Sequence, residues 1–107
     1  MPFITLDDLA RKEPFPGYSG RFLHTEAVSV AHWTVVEGSG FTEHAHPHEQ
    51  IAMVTEGRFE FTMEGESRIL EPGVVAVIPP NVLHSGRALT ACRLIDVFHP
   101  VREDYRS

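Results

Sequence analysis

Residues 58 to 63 read RFEFTM, so Phe59, Phe61 and Met63 alternate with Arg58, Glu60 and Thr62. Only an extended chain sends successive side chains to opposite faces. A period of two therefore predicts a strand with one face toward a core. The same reading holds over most of the chain. AVSVAHWTVV is rich in Val and partly alternating, and QIAMVTEG is a strand ending at a turn. VVAVIPP is an apolar run stopped by prolines, and ACRLIDVFHP is a last long strand. Glycine-bearing turns at EGSG, TEGR, EGES and EPGV separate these runs. Many short strands at this spacing predict an all-β fold, an antiparallel sandwich or barrel.

One stretch reads as helical. In TLDDLARK, Thr5 is a candidate N-cap, with acids in the first turn and basic residues at the end. EPFPGYSG then interrupts any regularity with two prolines and two glycines. The expected division is an N-terminal arm with a short helix over 1–24, a β-barrel over 25–100 and a tail over 101–107. Phe3, Ile4, Phe15 and Tyr18 make the arm more apolar than a free tail needs, so it is expected to lie across the barrel or a partner.

A length of 107 residues suits one domain with a modest core. The formal net charge of −6 argues against a nucleic-acid or anionic-membrane partner, which would need clustered Lys and Arg. A single cysteine, Cys92, excludes an intrachain disulfide and fits a reducing cytoplasm; its expected role is that of a small buried core residue. The first fifteen residues lack a basic start and a long apolar run, so no signal peptide is expected. No stretch approaches the roughly 18 to 20 apolar residues of a membrane helix.

The chemistry-bearing segment is HAHPHEQ at 44–50. Side chains at i and i+2 share a face of a strand, so His-X-His is a two-ligand metal clip. Both His44 with His46 and His46 with His48 qualify. In the last strand Cys92, Leu94, Asp96 and Phe98 share one face, and Arg93, Ile95 and Val97 the other. Parity leaves open which face is inward. If the first is, Asp96 is a buried acid near the histidines, tuned for proton transfer. Arg102 follows that strand and has the planar fork that clamps a carboxylate. His24 and His32, by contrast, are expected to be structural.

These residues resemble the cupins. The first cupin motif is Gly, five residues, His-X-His, three or four residues, Glu, six residues, Gly; here it runs Gly38, His44, His46, Gln50, Gly57. The second is Gly, five residues, Pro-X-Gly, two residues, His, three residues, Asn; here it runs Gly73, Pro79, Asn81, His84, with Asn81 for the glycine and Ala88 in the place of the last Asn. The resemblance spans roughly residues 25 to 100. It implies a cupin-type antiparallel barrel, a double-stranded β-helix or jelly roll. It also implies the ligand set His44, His46, Gln50 and His84. A clip of His46 and His48 counted from Gly40 would put the next ligand at Ala52 or Met53, neither a good ligand. His48 is then expected at the rim or behind the ligands, and Glu49 has the wrong parity to join them unless a bulge intervenes. The expected cofactor is one divalent transition metal per chain, from Ni, Zn, Fe or Mn, with Cu also suited to three imidazoles. Gln50 stands where the family usually places Glu. A neutral ligand leaves the ion its full formal charge, which favours Lewis-acid work on an anionic substrate over dioxygen chemistry.

HPHEQIAMVTEGRFEF together with IDVFHPVREDY is similar to the small cupins of the KdgF group. That group converts the ring form of 4,5-unsaturated uronate monomers from pectin and alginate into a linear ketonised form, with a metal held by His, His, Gln and His. The resemblance implies functional roles for Asp96, Phe98 and Arg102, an anionic sugar acid as substrate, and a homodimer. Two other readings fit the ligand set: another metal-dependent cupin enzyme, a dioxygenase or lyase, or a non-catalytic small-molecule-binding cupin.

Overall fold

A computed structural model of the chain describes residues 3–106. Ten strands run β1 Arg11–Phe15, β2 Tyr18–His24, β3 Ser29–Val35, β4 Gly40–His44, β5 Glu49–Glu56, β6 Phe59–Met63, β7 Glu66–Leu70, β8 Val75–Ile78, β9 His84–Ala88 and β10 Cys92–His99. They form two antiparallel sheets, β1-β2-β3-β10-β5-β8 and β4-β9-β6-β7. This is the expected all-β architecture. Its two sheets enclose one core that includes Tyr18, Phe22, Trp33, Val35, Val54, Phe59, Phe61, Leu70 and Leu94.

The period-two reading of RFEFTM holds, since Phe59 and Phe61 are buried. The alternation in β10 is also resolved: Cys92, Leu94, Asp96 and Phe98 all face inward. Asp96 is opposite Ala31 of β3 and Ala52 of β5. Two small neighbours leave room around the acid.

The N-terminal expectation needs correction. The helix predicted over TLDDLARK is a single 3-10 turn, Leu6–Asp8, and Thr5 makes no side-chain cap bond. Arg11 and Lys12 instead open β1. A helix of eight residues that buries no face has little to stabilise it, and no residue of this turn is buried. Pairing with β2 satisfies the backbone better. EPFPGYSG is likewise a hairpin rather than an irregular break: Phe15 pairs with Tyr18 around Gly17. Pro14 is tolerated because β1 is an edge strand. Phe15 and Tyr18 do pack on the core, whereas Phe3 and Ile4 are exposed.

Gly57 adopts φ 91°, and a Cβ there would meet the Ala91 carbonyl oxygen at 2.3 Å, so only glycine fits the turn between β5 and β6. Gly86 is constrained by contact instead. Its added Cβ would lie 2.2 Å from the fully buried Phe59 ring. Gly86→Ala should therefore lower stability by about 1–3 kcal/mol through overpacking. Urea denaturation would report a lower midpoint at unchanged m-value; an unchanged midpoint would contradict this packing.

Candidate metal centre

Strand register brings the histidines together. His44 ends β4 and His84 opens β9, and the two are cross-strand partners. His46 follows in the β4–β5 loop. The ligand atoms of His44, His46 and His84 all lie within 4.8 Å of one another. Nitrogens 2.0–2.1 Å from a shared ion stand roughly 3–4 Å apart, so sub-ångström side-chain adjustment suffices for coordination. Gln50 comes from the opposite sheet, directly across from Phe98.

Backbone carbonyls set the imidazole orientations. His46 Nδ1 lies 3.1 Å from the His48 carbonyl, and His84 Nδ1 lies 2.9 Å from the Val82 carbonyl. Each Nδ1 can only donate there, which leaves Nε2 as a lone-pair nitrogen. The loop is itself pinned, since Asn81 N–H donates to the His46 carbonyl at 2.8 Å. Asn81 holds φ 66° where the cupin motif has glycine. Asn is among the few residues that adopt this left-handed conformation readily.

The donor set fits a metal. His46 Nε2 stands 3.1 Å from Gln50 Oε1. With the His46 proton on Nδ1, two lone pairs face each other, and a cation between or beside them removes that repulsion. Burial pushes the His44 imidazole down to about 4, with His84 and His46 adding to the effect. Burial also lowers His46 and His84. All three are thus neutral at physiological pH, the form that binds metal. Three imidazoles and an amide oxygen suit a divalent transition ion.

Asp96 lies deeper. Trp33 Nε1–H donates to its Oδ2 at 2.9 Å, and Oδ1 has no hydrogen-bond partner among the described residues. Burial raises the carboxyl to about 6, against the opposing pull of the Gln50 amide, Trp33 and the Arg102 charge. Trp33 had no signal in the sequence as its partner, because the two are 63 residues apart and meet only through the β3–β10 pairing.

Arg102 is buried, with its guanidinium 4.7 Å from the Phe98 ring centre and 4.2 Å from that of Tyr105. It does clamp a carboxylate, that of Asp104, through Nε at 2.9 Å and Nη2 at 2.7 Å. A small cavity of about 20 Å³ is lined by His44, Gln50, His84, Asp96, Phe98 and Arg102, among others. That is room for about one water-sized group. Thus His44, Gln50, His84, Asp96, Phe98 and Arg102 share one cavity, with His46 at its edge against Gln50. Glu49 is exposed and points away, and His48 contributes its carbonyl to His46. His24 is tied to Ser29 Oγ at 2.7 Å, a structural role, and Cys92 is buried.

The cupin domain family matches residues 31–98, and the chain belongs to the cupin family. Over 71 residues it is 41% identical to the pectin degradation protein KdgF of Dickeya dadantii (strain 3937). That stretch is 64% of this chain and 64% of the curated relative's length. The structure of KdgF from Halomonas sp. is similar at TM-score 0.89 and 33% identity, covering 96% of this chain and 98% of that one. An RmlC-like cupin from Shewanella frigidimarina NCIMB 400 gives TM-score 0.90 at 28% identity, covering 96% and 94%.

The raised carboxyl has a measurable consequence. Asp96 is easier to protonate folded than unfolded, so its contribution is full below pH 3.8 and is lost as pH rises through about 6. Metal-free Asp96→Asn should therefore gain on the wild type across that window and stay ahead above it, by ~1–3 kcal/mol. Thermal melts at pH 4 and pH 7.5 check this; equal gaps at both would contradict a raised carboxyl.

Proposed function

We propose that the chain is a metal-dependent cupin enzyme that converts 4,5-unsaturated uronate monomers to their linear ketonised form in sugar acid catabolism. The observation that carries this reading is the meeting of a neutral ligand set with a buried acid and a buried arginine in one cavity. The similarity to KdgF proteins, one of them named for pectin degradation, supports the substrate class. The proposed ligands are His44, His46, Gln50 and His84. When bound, the divalent metal supplies Lewis-acid stabilisation of negative charge on a substrate oxygen.

The chain's own groups have distinct tasks. Arg102 pairs with the substrate carboxylate, and Phe98 forms the wall against which the guanidinium stacks. Ring opening removes the proton of the C1 hydroxyl, breaks the C1–O5 bond and leaves an enolate across C5 and C4. A proton then joins C4, and the product is an isomer of the substrate. Asp96, with its carboxyl near 6, is mainly carboxylate at neutral pH yet takes up a proton more readily than an ordinary aspartate, and it is the proposed proton carrier. Ligand pockets commonly exceed ~300 Å³, far more than this cavity. Admission of a sugar acid thus requires side chains that line this cavity to move.

A homodimer is part of the proposal. On the outer face of the six-stranded sheet, Leu23, Val30, Val97, Ile51 and Val77 stand in one row across five strands. Ile95, Met53 and Val75 line the next row. Ile51, Val75 and Val77 are exposed. A second copy of this face would cover them. The proposed place of action is the cytoplasm, consistent with a single reduced cysteine. Among the described residues no helix is long and apolar enough to cross a membrane.

The direct test is loss of the conjugated ultraviolet absorbance of an unsaturated uronate monomer, beyond its spontaneous rate and abolished by chelation. Bound metal without turnover would discard the substrate. Asp96→Asn, loaded with metal, should lose about 10²–10⁴-fold in kcat; full turnover would remove Asp96 from its role. Sedimentation of Ile51→Glu/Val77→Glu should show monomer, and an unaltered dimer would place the interface elsewhere.

A further inference from the structure

We propose that Asp104 is the positioning residue for Arg102, holding one edge of the guanidinium so that the other is offered to the substrate carboxylate. The inference rests on the uronate reading above and assigns a role to a residue outside the cavity. Arginine has five N–H donors arranged along two edges, each able to bind a carboxylate in bidentate fashion. Asp104 takes the Nε and Nη2 edge. The other edge, formed by Nη1 and the second N–H of Nη2, is not used by Asp104, and Arg102 lines the cavity.

Two observations favour positioning over chance pairing. The two residues are joined through a 3-10 turn, Glu103–Tyr105, closed by Tyr105 N–H on the Arg102 carbonyl at 3.1 Å. Both ends of that turn are anchored: Arg102 N–H donates to Ser29 Oγ at 2.8 Å, and Lys12 Nζ donates to the Tyr105 carbonyl at 2.7 Å. The Phe98 and Tyr105 rings contact the guanidinium without the directionality of a hydrogen bond. A two-point bond to Asp104 supplies that direction.

Kinetics of metal-loaded Asp104→Asn on an unsaturated uronate monomer and on its methyl ester would test this. Loss of one charge-assisted bond should raise KM for the acid about tenfold, with kcat little changed and the ester unaffected. Asp104→Glu should recover part of the loss. An equal change for acid and ester, or a lower KM for the acid, would overturn the proposal; the second result would make Asp104 a competitor for Arg102. Wild-type protein inactive on both compounds would sink the uronate reading alone. The positioning claim would then be decided by nuclear magnetic resonance of the Arg102 Nε–H. A slowly exchanging signal in wild type that is lost in Asp104→Asn supports it, and one that persists in the variant refutes it.

Discussion

Strand β10 is hydrogen-bonded along both edges, to β3 and to β5, and the placement of the site follows from that register. It sets Phe98 across from Gln50 and Asp96 between Ala31 and Ala52. It also brings Trp33 within hydrogen-bonding distance of the acid. A slip of one residue would send Asp96 and Phe98 to the outer face and Ile95 and Val97 inward. The buried apolar partners Leu94 and Cys92 on the same face make that slip costly. The core and the chemistry therefore share one constraint.

The opposing sheet supplies the histidines, and backbone carbonyls rather than side-chain acids orient two of them. The result is a proposed ligand set without its own negative charge. Of the carboxylates nearby, Asp96 shares the cavity with these residues and accepts from Trp33, and Asp104 is bound to Arg102. A divalent ion in such a set would keep its charge for an anionic ligand. Burial works in opposite senses on the two kinds of group. It favours neutral imidazoles, the form that binds metal, and it raises the Asp96 carboxyl to about 6.

Much of this was legible in the sequence because strand alternation and motif spacing are local. The alternating phenylalanines, the two spaced histidine motifs and the substitution at Gln50 could be read without a fold. Asp96 could not be oriented that way, because alternation says which residues share a face but not which face is inward. The helix over TLDDLARK failed because cap residues and charge pattern had no buried face to support them, and pairing with β2 prevailed. The tie of Asp96 to Trp33 depends on long-range pairing and left no local trace. Arg102 and Asp104 are close in sequence, yet their bond depends on a turn whose ends are fixed by Ser29 and Lys12, far away in the chain.

The most direct test of this account is metal stoichiometry in purified protein. Elemental analysis after reconstitution should give one divalent transition ion per chain, with His84→Ala reduced to a small fraction of that and Gln50→Ala binding more weakly. Full occupancy in His84→Ala, or no metal in the wild type after reconstitution, would contradict the claim that these side chains converge to hold an ion.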